Sequence, residues 1–134
     1  MGEFIVKSKL PKLSEREKDI MSVLWHSDEY LTASAIAERG GISINTVQAN
    51  MRSLLNKKYI EVADIVYSGT VLTRSYKPVI SAEEYAAEQL QDIRENALNF
   101  STLNFMGHFL KQEDPDTLEK LEKLIKSERK EEGE

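Results

Sequence analysis

The chain has 134 residues, of which 40% are hydrophobic and 31% charged; it contains no cysteine and carries a net charge of −5. This length and apolar content suit one domain, or a small domain with an appendage, and exclude a chain without a core. The lack of cysteine excludes disulfides, thiolate metal sites and cysteine nucleophiles together.

No apolar run approaches the ~18 residues of a membrane span. The opening MGEFIVKSKLPKL has Glu3 where a leader would carry basic residues, so no signal peptide is expected and a cytoplasmic location is. The net charge argues at first against nucleic acid, but it is unevenly spread. Residues 1–80 hold 11 Lys+Arg against 9 Asp+Glu, whereas residues 81–134 hold 7 against 14. Any DNA contact therefore belongs to the first part, with few phosphate contacts and steep salt sensitivity.

Ser14-Glu-Arg-Glu17 reads as a capping box, with Leu13 as the staple residue. The helix that follows turns Ile20, Met21, Leu24 and Trp25 to its buried side and stops near His26-Ser27-Asp28. Thr32 caps a short second helix, ASAIAERGG, which Gly40 and Gly41 end. Ser43 caps a third helix, expected over about 44–58. Val47, Met51, Leu54 and Leu55 recur on its apolar side; Asn45, Thr46, Gln48, Ala49 and Arg52 form the other face. Two helices joined around a glycine pair make a helix-turn-helix pattern. The third helix has a face rich in hydrogen-bonding groups and poor in charge.

After Lys58 the period changes. YIEVADIVY and VLTRSYKPV are strand-like runs, parted by Ser68-Gly69 and closed by Pro78. Three helices followed by a β-hairpin describe a winged helix. From Ser81 the pattern is helical again. Ser81-Ala-Glu-Glu84 is a second capping box, opening a helix from about 82 to 98. STLNFMGHFLKQE is a short amphipathic helix, and Asp114-Pro115 starts another, which ends in a solvated, frayed SERKEEGE tail.

The expected fold is mainly α with a small β-hairpin: a winged helix-turn-helix DNA-binding domain over 1–80 and a helical dimerisation domain over 81–134. The C-terminal helices carry Tyr85, Leu90, Ile93, Leu103, Phe105, Met106, Phe109, Leu110, Leu118, Leu121, Leu124 and Ile125. Three slim helices bury such faces poorly, and a second copy of the chain would cover them. The expected assembly is a homodimer.

Three stretches, LSEREKDIMSVLW, TVQANMRSLLNKKYI and RSYKPVISAEEY, carry a resemblance to the penicillinase repressor family, which includes methicillin-resistance and copper-transport repressors of Gram-positive bacteria. The resemblance covers about residues 12–126. It implies a repressor that binds a dyad operator of double-stranded DNA, controlling a β-lactam-resistance or related stress operon. It also implies release by cleavage at an Asn-Phe bond downstream of a membrane-bound sensor protease, or by another signal. The copper branch uses cysteine pairs, which this chain lacks.

The family's recognition helix turns the positions of Asn45, Thr46, Gln48 and Ala49 to DNA. The chemistry here suits that: Gln can bond adenine bidentately, and Thr and Ala methyls can meet thymine methyls. Two departures stand out. Ser53 replaces the family's Arg and Lys58 its Gly, so Arg52 is the candidate for the phosphate role. The DNA-contact set is thus Ser43, Asn45, Thr46, Gln48, Ala49 and Arg52, with Thr70, Thr73, Arg74 and Lys77 on the wing. The family's cleavage position falls on His108-Phe109; Asn-Phe pairs occur at Asn104-Phe105 and Asn99-Phe100.

The wing is longer than the family's and apolar, with Ile65, Val66, Tyr67, Val71 and Leu72. This supports an alternative: a winged-helix interaction module that binds a protein through its wing. His26 and His108 are too few and too distant for a metal site, and Trp25 reads as core. Lys57 and Lys58 read as complements to the helix dipole, and the Phe105/Met106/Phe109 cluster as dimer core. No cofactor, metal or small-molecule substrate is implied, and no nucleophile–base–orienter set appears, so no enzyme is expected.

Overall fold

The computed structural model describes residues 10–133. The reading of residues 1–9 as the start of a chain without a leader lies outside them. The chain divides at Leu90–Gln91 into two compact units.

The first unit opens with α1 (Glu15–Trp25), whose capping box is complete: Ser14 Oγ accepts from Glu17 N at 3.2 Å, and Glu17 Oε1 accepts from Ser14 N at 2.7 Å. A two-residue strand, β1 (Leu31–Thr32), leads into α2 (Ala33–Gly40), capped by Thr32. Gly40 and Gly41 have different jobs at its end. A Cβ on Gly40 would meet Val23 Cγ2 at 2.9 Å, so α2 approaches α1 closely there, whereas Gly41 has open space but φ +64°.

Next come α3 (Ile44–Asn56) and the hairpin β2 (Ile60–Ser68) and β3 (Val71–Pro78). The sheet has three antiparallel strands in the order β1-β3-β2; Leu31 lies opposite Tyr76, and a bulge sits between Val62 and Asp64. β1 is too short to leave a period in the sequence, and its pairing fastens the wing to the helical layer.

The core is built by Ile20, Met21 and Leu24 of α1, Leu31, Ile36 of α2, Val47, Met51 and Leu54 of α3, and Tyr59 and Ile60 at the start of the wing. The Tyr59 hydroxyl donates to Pro11 O at 2.6 Å, and burial, with Tyr85, Glu88 and Glu17 nearby, pushes its pKa up to about 12. Trp25, read from sequence as core, is half-buried. Its Nε1 donates to Ile80 O at 2.8 Å, and its ring tilts against Tyr85 at 5.4 Å.

The helix expected over 82–98 is α4 (Ala82–Ile93) followed by one π turn, Arg94–Leu98, which Asn99 ends at φ 52°. Its Ser81 capping box is formed as expected. Ser101 caps α5 (Thr102–Phe109), and Asp114 accepts from Thr117 N at 2.7 Å at the start of α6 (Pro115–Gly133). The tail read as frayed continues α6, because Glu, Lys and Arg are good helix formers. Among the described residues from Gln91 onward, none is buried.

Candidate nucleic-acid interface

The chain enters α3 through Gly41 in the left-handed conformation and Ser43 as the cap, whose Oγ accepts from Thr46 N at 3.2 Å. Val47, Met51 and Leu54 are buried, which fixes the helix's rotation about its axis. The opposite face follows from the 3.6-residue period: Asn45, Gln48, Ala49 and Arg52 are exposed and Thr46 is half-buried. Ser43 Oγ donates to Thr46 Oγ1 at 2.9 Å, so these two hydroxyls hold the first turn. Asn50 is turned inward and donates to Thr46 O at 2.8 Å.

Between α3 and the wing lies an open groove of about 510 Å³. Gln48, Met51, Arg52 and Leu55 line it from α3, Leu72, Thr73, Arg74 and Tyr76 from β3, and Ala33 from α2. No carboxylate lines it. Arg52 and Arg74 have no ion-pair partner among the described residues. A concave site with two unpaired guanidinium groups, a carboxamide and a hydroxyl suits a polyanion that also presents donors and acceptors. Four of the expected contact residues, Gln48, Arg52, Thr73 and Arg74, thus come together.

Lys77 is placed differently. It lies at the base of the wing, 3.2 Å from Glu61 Oε2 and 5.6 Å above the Tyr30 ring. Ser53 and Lys57 also have duties inside the domain. Ser53 Oγ donates to Glu17 Oε2 at 2.6 Å, and Lys57 Nζ donates to Glu17 Oε1 at 2.7 Å and to Lys12 O at 2.7 Å. Glu17 is a buried carboxylate that ties α1 to α3. Burial alone would raise its pKa. Hydrogen bonds from Lys57, Ser53 and the Ser14 backbone, with the Lys57 charge, outweigh that and hold it at about 2. Sequence reasoning saw only a capping residue at Glu17, because a contact across 36 residues leaves no local signal. Ser53, where the resemblance implies an Arg, here serves Glu17.

Of the residues expected on the dimer face, Tyr85 packs elsewhere, against Trp25 and, at 6.3 Å, Tyr59. In the second unit the Phe100 ring tilts against Phe105 at 5.1 Å, and Phe105 stacks on Phe109 at 5.4 Å. Leu103, Phe109, Leu118, Leu124 and Ile125 are exposed.

The fold is that of a winged helix, and the family that matches the chain is one of DNA-binding transcriptional regulators. The penicillinase repressor family model matches residues 13–127, nearly the whole chain. The protein belongs to that family. No curated protein is significantly similar. Similar solved structures include a possible transcriptional regulator from Methanosarcina mazei, at 17% identity and a TM-score of 0.45, covering 76% of this chain and 80% of that one. A homodimeric winged helix-turn-helix DNA-binding domain from Mycobacterium bovis is similar at 20% identity and a TM-score of 0.40, covering 60% and 68%. FabT of Streptococcus pneumoniae, solved in complex with DNA, is similar at 13% and 0.37, covering 84% and 72%. No helix among the described residues is long and apolar enough to cross a membrane.

Proposed function

We propose that the chain represses transcription as a two-fold homodimer on a dyad operator, with α3 in the major groove. The observation that carries this reading is the carboxylate-free groove between α3 and the wing, in a chain of net charge −5. Gln48, Asn45 and Ala49 read base edges, and Arg52 and Arg74 neutralise phosphates. The apolar residues left exposed on the second unit support dimerisation, since two copies burying them against each other remove that surface from water.

A dimer places its two recognition helices about 10 base pairs apart. Hydroxyl-radical footprinting on a duplex selected by the chain from a random pool tests this. Two protected segments at that spacing, related by a dyad, are expected; a single protected segment would rule out the dyad.

If release is proteolytic, as the resemblance implies, Asn99–Phe100 is the bond with the most accessible backbone of the three candidates. Asn104–Phe105 and His108–Phe109 lie within α5, where a protease must first melt the helix. Asn99–Phe100 lies between helical segments, with Asn99 exposed at φ 52°. Cleavage at that bond would part α5 and α6 from α4. A protein partner at the wing is the second reading, favoured by exposed Ile65, Tyr67 and Leu72.

A further inference from the structure

Of the wing's five exposed large apolar side chains, Val62, Ile65, Tyr67 and Leu72 share one face, and Val71 lies on the other. In an antiparallel hairpin, residues directly opposite each other share a face. The register pairs Tyr67 with Leu72 and Ile65 with Arg74. These four, with Tyr76, therefore lie on one face of the sheet. Leu72, Arg74 and Tyr76 also line the groove beside α3, so this face is the one turned to the proposed DNA site. Ile65 is 60%, Tyr67 73% and Leu72 58% exposed.

Charge is segregated the same way. Both carboxylates of the hairpin belong to the opposite face: Glu61 pairs with Lys77, and Asp64 with Ser75. Arg74 is the single charge on the apolar face. An apolar surface with a lone cation and no anion, continuous with a site for DNA, fits the minor groove. Its walls are deoxyribose and its rims are phosphate, so sugar can cover Ile65 and Leu72 while Arg74 keeps its contact with a phosphate at the rim.

Resting on the DNA reading above, we propose that the wing is an apolar wedge. The Tyr67–Leu72 pair at its tip presses between two base pairs in the minor groove flanking each half-site, partly unstacks them and bends the duplex. Unstacking is cheapest at a pyrimidine–purine step, so the wedge also selects sequence at positions α3 never touches.

The test uses the full chain and a duplex it selects from a random pool, with 2-aminopurine placed in turn at each step flanking the half-sites. Wild type should raise the fluorescence severalfold at one step per half-site and bend the DNA in an energy-transfer assay. Tyr67→Ser/Leu72→Ser should lose both signals and bind roughly tenfold more weakly, yet keep its preference for the half-site bases read by α3. If wild type binds selectively without unstacking or bending, or the double variant does both as well, the wedge is wrong and the DNA reading stands. If wild type selects no sequence at all, both fall. If the double variant instead changes the sedimentation of the free protein, the wing is a contact between subunits and the wedge is overturned.

Discussion

Gln48 and Arg52 sit one turn apart on the same exposed face, yet they should fail differently when changed. Gln48→Ala removes a bidentate base contact and should weaken binding to the selected duplex by about 1–3 kcal/mol, with little effect on scrambled DNA. Arg52→Ala should weaken both and make the salt slope of a dimer shallower by about 2, one released counterion per protomer. Fluorescence anisotropy on the two duplexes separates the cases. Glu17 makes a different prediction. Its folded pKa of about 2 lies below the ordinary 4.5, so its contribution is fully present above pH 4.5 and is lost as pH falls toward 2. The shift corresponds to about 3 kcal/mol. Urea midpoints of wild type and Glu17→Gln should differ most near pH 7 and converge toward pH 2. A gap that stayed constant over that range would mean the buried pairing with Lys57 and Ser53 does not hold.

At the scale of elements, the helix starts were legible and the helix stops less so. Ser14, Thr32, Ser43 and Ser81 each cap a helix where a hydroxyl precedes an apolar period, because capping is decided within four residues. The exposed face of α3 was equally legible, since a helical period divides buried from exposed positions. What joins α3 to the wing was not: β1 is two residues long, and the groove exists only once β3 pairs with it. The end of α3 was in doubt because Lys58 replaces a glycine. The chain keeps the stop anyway, with Lys58 at φ 64° and Tyr59 N donating to Leu54 O at 3.0 Å. A lysine there carries left-handed strain of about 1–2 kcal/mol, partly offset by its lower freedom when unfolded. Lys58→Gly should therefore stabilise the protein by about 0.5–1 kcal/mol in urea unfolding. Gly41→Ala, at φ +64°, should destabilise it by about 1 kcal/mol.

For the whole molecule, charge is divided along the sequence. Residues 81–134 are acidic and carry exposed Leu103 and Leu124; residues 1–80 are near neutral and carry the groove and the apolar wing. Leu103→Asp and Leu124→Asp should shift sedimentation equilibrium toward monomer and leave the melting of the winged-helix unit nearly unchanged, because neither residue belongs to its core. Monomers lose the second half-site, so operator affinity should drop by far more than any single base contact supplies.

The central claim is that α3 and the wing read DNA as one groove. The most direct test is the affinity of the full chain for its selected duplex and for a scrambled duplex of equal length, measured across a salt series. Binding should be about a thousandfold or more tighter to the selected duplex near physiological salt. Its logarithm should fall against log salt with a slope of about −4, from Arg52 and Arg74 in each of two protomers. Equal, weak binding to both duplexes at every salt concentration would contradict the account and leave the polar face of α3 without a DNA role.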